Sequence, residues 1–138
     1  MTKQNGQKKI ISVESGFYKL LGITVPELIV NRAVVQLSIG QQHLNSHGSL
    51  HGGVMTTMID FAGGLAGLYS SSSENLRKAV TLSLTTSFLA PASSGVVQAI
   101  GQKRSGGRRI FVSTIEVIDE AGKLIALGEA TYRYVDSR

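Results

Sequence analysis

The sequence contains no cysteine and no tryptophan, and only two prolines among its 138 residues. Without cysteine the chain has no disulfides, thiolate metal sites or cysteine nucleophile. Acidic residues are also scarce, with 9 Asp and Glu against 14 Lys and Arg, so the formal net charge is +5. A basic balance favours an anionic partner such as nucleic acid, a membrane surface or a phosphate-bearing small molecule. Because basic and aromatic residues do not interleave, we expect no nucleic-acid partner.

The length and composition, with 42% hydrophobic and 17% charged residues, predict one soluble domain with its own core. We expect residues 1–12 to form a flexible tail and residues 13–138 to form the domain. Met1–Lys9 is polar and basic with no apolar segment directly behind it. We therefore expect no secretory signal and a cytoplasmic location.

Apolar spacing and turn residues predict an α+β domain in which an antiparallel sheet wraps one long central helix. Short turns at residues 91–95, 105–107 and 119–122 suit antiparallel hairpins between the last four strands. The predicted elements are a helix over 13–21, strands over 23–30 and 32–39, a helix over 50–69, and strands over 79–89, 95–104, 108–118 and 123–135.

The long helix is apolar nearly all round, which is typical of a buried central helix. A transmembrane span is the alternative, because about twenty residues hold a single charge. Asp60 near its middle, the pair Thr56-Thr57 and several glycines disfavour that alternative, and we expect no membrane partner. Gly63, Gly64 and Gly67 predict that another backbone approaches the helix closely.

Asp60 is the first candidate for chemistry. Between Ile29 and Ser73 the only other formal charge is Arg32. A lone carboxylate in an apolar helix is costly to keep ionised and usually has a purpose. Asp60 therefore suits a general base that activates water, or a nucleophile. The alternative is a structural carboxylate that caps a loop or faces a water pocket.

The pair Gly52-Gly53 at the start of the same helix leaves backbone N–H groups open to an oxyanion, and a tight helix entry or close packing is the alternative. Gly52 and Asp60 are eight residues apart, about 12 Å along one helix. One attacking water cannot contact both groups in one helix. If both act, Asp60 must face Gly52 of the partner subunit across a two-fold interface, which predicts a dimer.

Three histidines, His43, His47 and His51, recur at every fourth position and suggest a metal site. Asn45 and Gly48 break the helical register between them, and zinc needs three or four converging ligands. We therefore expect no metal. His51 at the helix start is typical of a cap, and Asn45 is typical of a turn.

Several segments together resemble a known family. They are 45–60 (NSHGSLHGGVMTTMID), 79–81 with 88–92 (AVT and FLAPA), 106–112 (GGRRIFV), 119–123 (DEAGK) and 130–134 (ATYRY). These segments resemble the hotdog-fold acyl-CoA thioesterases of the phenylacetate-pathway (PaaI-like) type. The hotdog fold also serves dehydratases and acyl-binding proteins, so the motif carries more of the resemblance than the fold does.

The resemblance implies hydrolysis of a small aromatic or short- to medium-chain acyl-CoA to the free acid and CoA. It implies Asp60 as the general base or nucleophile, Gly52 N–H as the oxyanion donor, and Asn45 and His51 as groups that position water, thioester or loop. It also implies a homo-oligomer, at least a dimer and expected to be a tetramer built as a dimer of dimers. Coenzyme A is part of the substrate, so no separate cofactor is expected.

Thr81 matches a position where the resembling enzymes carry Ser or Thr beside the catalytic acid. Along this strand, however, Val80, Leu82 and Leu84 alternate with Thr81 and the other hydroxyl residues. If the apolar set faces the helix, Thr81 points away from Asp60 unless the strand bends.

Four basic residues, Lys103, Arg104, Arg108 and Arg109, flank one turn. In an acyl-CoA thioesterase they would suit the phosphates of coenzyme A. The alternative is a solvated hairpin end that discourages aggregation. Other function classes also stay open: a non-catalytic acyl-CoA-binding or regulatory protein, a basic nucleic-acid-binding protein, and a hydratase on the same fold.

Overall fold

A computed structural model of the chain describes residues 13, 16–70 and 76–136. The predicted tail at residues 1–12 lies outside the described residues. The elements follow the predicted order and, apart from the two helices, the boundaries agree within two residues. They are α1 (Gly16–Leu21), β1 (Thr24–Ile29), β2 (Arg32–Ser38), a 3₁₀ turn (Gln41–His43), α2 (Gly52–Ala66), β3 (Ala79–Phe88), β4 (Val96–Gly106), β5 (Ile110–Ile118) and β6 (Leu124–Tyr134).

Six antiparallel strands form one sheet in the order β1-β2-β4-β5-β6-β3, and α2 packs against it. This confirms the predicted α+β hotdog architecture, a sheet around one central helix. The hairpins β1–β2, β4–β5 and β5–β6 form as predicted, but the hairpin expected at residues 91–95 is wrong. β3 pairs with β6 at the far edge of the sheet instead of with β4.

The segment between β3 and β4 crosses the end of the sheet, which explains the missing hairpin. Its backbone bonds to three separate parts of the chain: Leu89 N–H donates to the Ile125 carbonyl at 2.9 Å, and the carbonyls of Ala92 and Gly95 accept from Leu50 and Ile39. These three backbone groups are therefore satisfied without a tight turn.

Helix α2 is shorter than predicted, with 15 residues instead of about twenty. His51 before it is extended, with φ −61° and ψ 134°, and Gly67 ends it by donating its N–H to the carbonyls of Gly64 and Leu65. Among the described residues, no helix is long and apolar enough to cross a membrane.

The helix glycines make room for aromatic rings of the sheet, and the predicted close approach of a backbone is confirmed at Gly63, whose backbone nitrogen would lie 2.9 Å from a Cβ on Gly101. A Cβ on Gly63 would meet the Tyr132 hydroxyl, and one on Gly67 would meet the Phe111 ring. The close backbone approach comes from the sheet side, where a Cβ on Gly101 would meet the Ala62 carbonyl. Small residues on both surfaces therefore hold α2 close to the sheet.

Helix α1 begins later than the predicted 13–21 helix, and residues 14 and 15 of that range lie outside the described residues. None of its residues is buried. Its C-terminal end is held from the 3₁₀ turn, because the His43 ring hydrogen-bonds to the Leu21 carbonyl at 2.7 Å.

Candidate functional site

The start of α2 exposes an open backbone donor. The imidazole Nδ1 of His51 accepts the Gly53 N–H at 2.7 Å and so caps the helix. Within the described part of the chain, the Gly52 N–H has no hydrogen-bond partner. The Phe88 ring lies beside it, since a Cβ on Gly52 would meet that ring at 3.1 Å. An N–H at a helix N-terminus beside an apolar wall suits a developing negative charge.

The loop before α2 is shaped by Asn45, as the turn interpretation predicts. Its side-chain oxygen accepts the N–H groups of His47 and Ser49 at 2.9 and 3.1 Å. Gly48, at φ +78°, closes the turn with its N–H on the Asn45 carbonyl. Asn45 therefore holds the loop that leads into His51 and Gly52.

The three histidines do not converge. His43 is 1% exposed and uses both ring nitrogens: Nδ1 accepts the Gly40 N–H, so Nε2 carries the proton and donates to the Leu21 carbonyl. His47 is exposed and His51 caps the helix. No group of three metal-capable side chains occurs in the ranges 16–70 and 76–136.

Asp60 lies in the third turn of α2 and is half-buried. Its carboxylate accepts a 2.6 Å hydrogen bond from Thr81 Oγ1 on β3. The Tyr132 hydroxyl donates to the Asp60 backbone carbonyl at 2.8 Å. Two strands therefore fix this turn of the helix, one through the side chain and one through the backbone.

A β-bulge resolves the difficulty with Thr81. The β3–β6 pairing shifts register between Thr81 and Ser83. The extra residue places Thr81 and Leu84, three apart, on the helix side of β3, while Val80 and Leu82 face the opposite side. The simple alternation, in which the apolar set faces the helix along the whole strand, is therefore wrong before the bulge.

A cavity of about 400 Å³ opens at Asp60. It is lined from three elements, α1, α2 and β3, by Phe17, Tyr18, Thr56, Thr57, Asp60 and Leu84. Burial and the negative charge of Asp60 both raise the pKa of Tyr18 above its ordinary value. The phenol is therefore an O–H donor at neutral pH.

Gly52 does not line the Asp60 cavity. Both residues belong to one continuous helix, in which eight positions correspond to about 12 Å. A single attacking water cannot lie within about 3 Å of the groups at both positions. One chain therefore presents the two halves of a site separately.

The four basic residues of the β4–β5 hairpin separate into two groups. Arg108 and Arg109 line a cavity of about 700 Å³ on the outer side of β3, together with Arg133 of β6. Arg104 instead donates to Thr114 Oγ1 at 2.7 Å, and the Lys103 Nζ lies 5.8 Å from the centre of the Phe111 ring. The hairpin therefore does not act as one basic cluster.

The outer cavity is strongly cationic, since no ion pair involves its three guanidinium groups in the described ranges. Asp136 also lines it but is paired with Arg77 at 2.9 Å. Sequence reasoning missed Arg133. The register of the β5–β6 hairpin, which places Arg133 opposite Ile110, could have located it beside Arg109.

The comparisons with known proteins agree with this architecture. The family model described as Thioesterase superfamily matches residues 47–126. The acyl-coenzyme A thioesterase PaaI of Escherichia coli is 34% identical over 110 residues, which cover 79% of this chain and 75% of that protein. Human acyl-coenzyme A thioesterase 13 is 27% identical over 128 residues, covering 89% and 88% of the two chains.

Solved structures show the same fold. The E. coli PaaI protein from the phenylacetic acid degradation operon superposes with a TM-score of 0.79 at 27% identity, covering 89% of this chain and 86% of that one. A mutant of the phenylacetic acid degradation protein PaaI from Thermus thermophilus gives a TM-score of 0.73 at 32% identity, covering 85% and 96%.

Proposed function

This chain belongs to the thioesterase superfamily and is a thioester hydrolase, and from that premise we propose that it hydrolyses acyl-CoA thioesters to the free acid and coenzyme A. One observation carries the proposal. Asp60, the carboxylate of the central helix, opens into a cavity and is held by the Thr81 hydroxyl at 2.6 Å. The names of the E. coli and human relatives support the acyl-CoA substrate class.

The Asp60 carboxylate can serve hydrolysis in two ways. As a general base it takes a proton from water while the water oxygen attacks the thioester carbonyl. As a nucleophile it attacks that carbon itself and forms an anhydride that water then cleaves. Either way the C–S bond breaks and the CoA thiolate leaves. The Thr81 hydroxyl occupies one carboxylate oxygen and leaves the other available for water or substrate.

The carbonyl oxygen becomes negatively charged during attack and needs a donor that Asp60's own cavity does not supply. We assign that donor to the N–H of Gly52 of the partner subunit, since the same chain's Gly52 is about 12 Å away along the helix. Asn45 and His51 of the partner subunit then hold the loop that presents this N–H. A two-fold dimer would contain two equivalent sites.

The open edge of β3 supports this dimer. The strand is ten residues long, and nearly all its residues are exposed or half-exposed. Val80 and Leu82 are 47% and 53% exposed on its outer side. A long unpaired apolar edge is a template for pairing with another chain. The outer sheet face also exposes Ile110 and Leu127, which supports pairing of dimers into a tetramer.

We assign the phosphates of coenzyme A to the outer cavity, with Arg108 and Arg109 as the predicted ligands and Arg133 as a third. Guanidinium groups bind phosphate through paired N–H donors. Thr81 faces Asp60 and its neighbours Val80 and Leu82 face this cavity, so the two sites lie on opposite sides of one strand.

The first experiment follows CoA release with a thiol-reactive dye over aromatic and aliphatic acyl-CoAs. The protein contributes no background signal, because it has no cysteine. We expect Asp60→Asn to lower kcat at least about 100-fold, while Glu116→Gln, an exposed carboxyl on β5, leaves it unchanged.

Turnover that survives in Asp60→Asn, with fold and oligomer intact, would remove Asp60 from the chemistry. Saturable acyl-CoA binding by the wild type with no turnover of any ester would instead identify a binding protein. That result would contradict the proposed activity.

A further inference from the structure

Helix α1 packs Tyr18 and Leu21 against the core and also contributes to the Asp60 cavity. None of its six residues is buried, and Phe17 and Leu20 are 52% and 81% exposed. Yet Phe17 and Tyr18 both line the cavity that contains Asp60.

The helix is nevertheless held firmly at its C-terminal end. The Tyr18 carbonyl accepts the Ile23 N–H at 3.1 Å, and the Leu21 carbonyl accepts from His43. The His43 carbonyl in turn accepts the His51 N–H at 2.8 Å. The same buried histidine therefore ties α1 to the loop that presents Gly52.

The aromatic rings of α1 have a fixed geometry. The Tyr18 ring stacks on Phe61 of α2, with centroids 4.0 Å apart and an interplanar angle of 5°. The Phe17 ring lies 6.1 Å from the Tyr18 ring at 38°. The Tyr18 ring is thus packed against the central helix, whereas the Phe17 ring is half-exposed at the edge of the cavity.

The opposite side of the cavity is aliphatic and polar. Leu84 of β3 faces it, and the Thr57 hydroxyl donates a hydrogen bond to the Gly53 carbonyl at 2.8 Å. A group that attaches to a carbonyl beside Asp60 would therefore meet aromatic rings on one side only. Both flat rings and alkyl chains gain from burial against such a wall, but only rings gain the additional energy of stacked or edge ring–ring contacts.

We propose that Phe17, supported by Tyr18, is the specificity-determining wall of the acyl site and favours ring-bearing acyl groups over alkyl chains of similar size. This inference rests on the proposed acyl-CoA hydrolysis. It assigns the choice of acyl group to α1, outside the central helix and the sheet that carry Asp60, Gly52 and Thr81.

The test compares kcat/KM for benzoyl-CoA and hexanoyl-CoA. Phe17→Leu keeps an apolar side chain and removes the ring. We expect the benzoyl-to-hexanoyl ratio to fall about 3- to 10-fold, the size of a lost ring–ring contact. Leu20→Ala is the matched control, since Leu20 lies on the same helix but does not line the cavity, and it should leave the ratio unchanged.

An unchanged ratio in Phe17→Leu would overturn the inference, as would a shift of that variant to a smaller oligomer, which would show that a second subunit covers the ring. The proposed activity fails separately, if the wild type hydrolyses neither ester. In that event the same two esters are titrated onto the proteins, and the benzoyl-CoA Kd divided by the hexanoyl-CoA Kd must rise in Phe17→Leu, or the inference is overturned.

Discussion

The two edge strands of the sheet are built differently. β1 has six residues, contains Pro26, carries a bulge between Thr24 and Glu27, and buries Val25 and Leu28. β3 has ten residues, contains no proline and leaves most of its side chains exposed. Both edge strands carry a bulge, but short length and proline, two usual means of closing an edge, occur only in β1, so β1 ends the sheet and β3 is left open.

The open edge is also the strand that serves the chemistry. β3 presents Thr81 to Asp60 on one side, and Val80 and Leu82 to the cationic cavity on the other. The edge available for a second subunit and the strand that orients the carboxylate are one element. Substitutions that block pairing at the β3 edge should therefore abolish both assembly and activity, whereas substitutions at the β1 edge should affect neither.

The largest effect should follow from charging the β3 edge. Ser83→Lys with Thr85→Lys, at exposed outer positions in the middle of the strand, would bring like charges together in an edge-paired dimer. We expect a monomer and hydrolysis at background level, measured by sedimentation and CoA release. Thr24→Lys at the start of β1 with Val30→Lys directly after its end should change neither, and a dimer that persists in the β3 variant would refute the edge pairing.

A smaller effect distinguishes two threonines on the helix side of β3. Thr81 donates to Asp60, whereas the Thr86 hydroxyl is buried and has no partner among the described residues. Thr81→Val should lower kcat about 10- to 100-fold, because a charge-assisted hydrogen bond is lost.

Thr86→Val is the matched control. It removes an unsatisfied buried hydroxyl, so it should keep kcat and raise the free energy of unfolding by about 1 kcal/mol. Urea unfolding at fixed protein concentration and steady-state kinetics measure both variants. Equal losses of activity in the two would mean that Thr81 acts through the fold alone.

The smallest effect concerns the cavity beyond the β3 edge. Arg133→Gln should raise KM for acyl-CoA about tenfold, the size of one charge-assisted hydrogen bond, and leave kcat unchanged. Arg104→Gln should alter neither constant, since the Arg104 guanidinium bonds to Thr114 outside this cavity. A raised KM in Arg104→Gln with an unchanged KM in Arg133→Gln would instead place the phosphate site beside Arg104.

The local sequence pattern was sufficient to predict most of the fold. Alternating apolar residues and short turns predicted all six strands, and the apolar run after residue 51 predicted the central helix, because these signals depend on neighbours in sequence. The position of β3 was missed because pairing with β6 depends on a crossing segment, whose hydrogen bonds go to Ile125, Leu50 and Ile39.

The candidate site likewise contains residues that the local sequence indicates and contacts that depend on strand pairing. Asp60 and Gly52 could be proposed from one helix, because an isolated charge and a glycine pair are visible in the sequence. Contact between Thr81 and Asp60 depends on a one-residue register shift, which reverses the direction of the side chains and leaves no compositional trace. The convergence of Arg133 with Arg108 and Arg109 depends on β5–β6 register.

Testing the shared site requires a variant that lacks only the Gly52 N–H. Proline meets this need, because it is accepted at the first position of a helix and lacks the donor. His51 before it is already extended at ψ 134°, as a residue preceding proline must be. Gly52→Ala is the control, since it places the same Cβ against Phe88 and keeps the N–H.

The decisive measurement mixes Asp60→Asn and Gly52→Pro subunits by co-expression and assays CoA release. Each variant alone should be inactive, whereas a mixed dimer joins the intact Asp60 of one chain to the intact Gly52 N–H of the other. With random pairing we expect about a quarter of wild-type activity, since half the dimers are mixed and each has one intact site of two. Activity that stays at background in the mixture, with mixed dimers verified, would contradict a site shared between two chains.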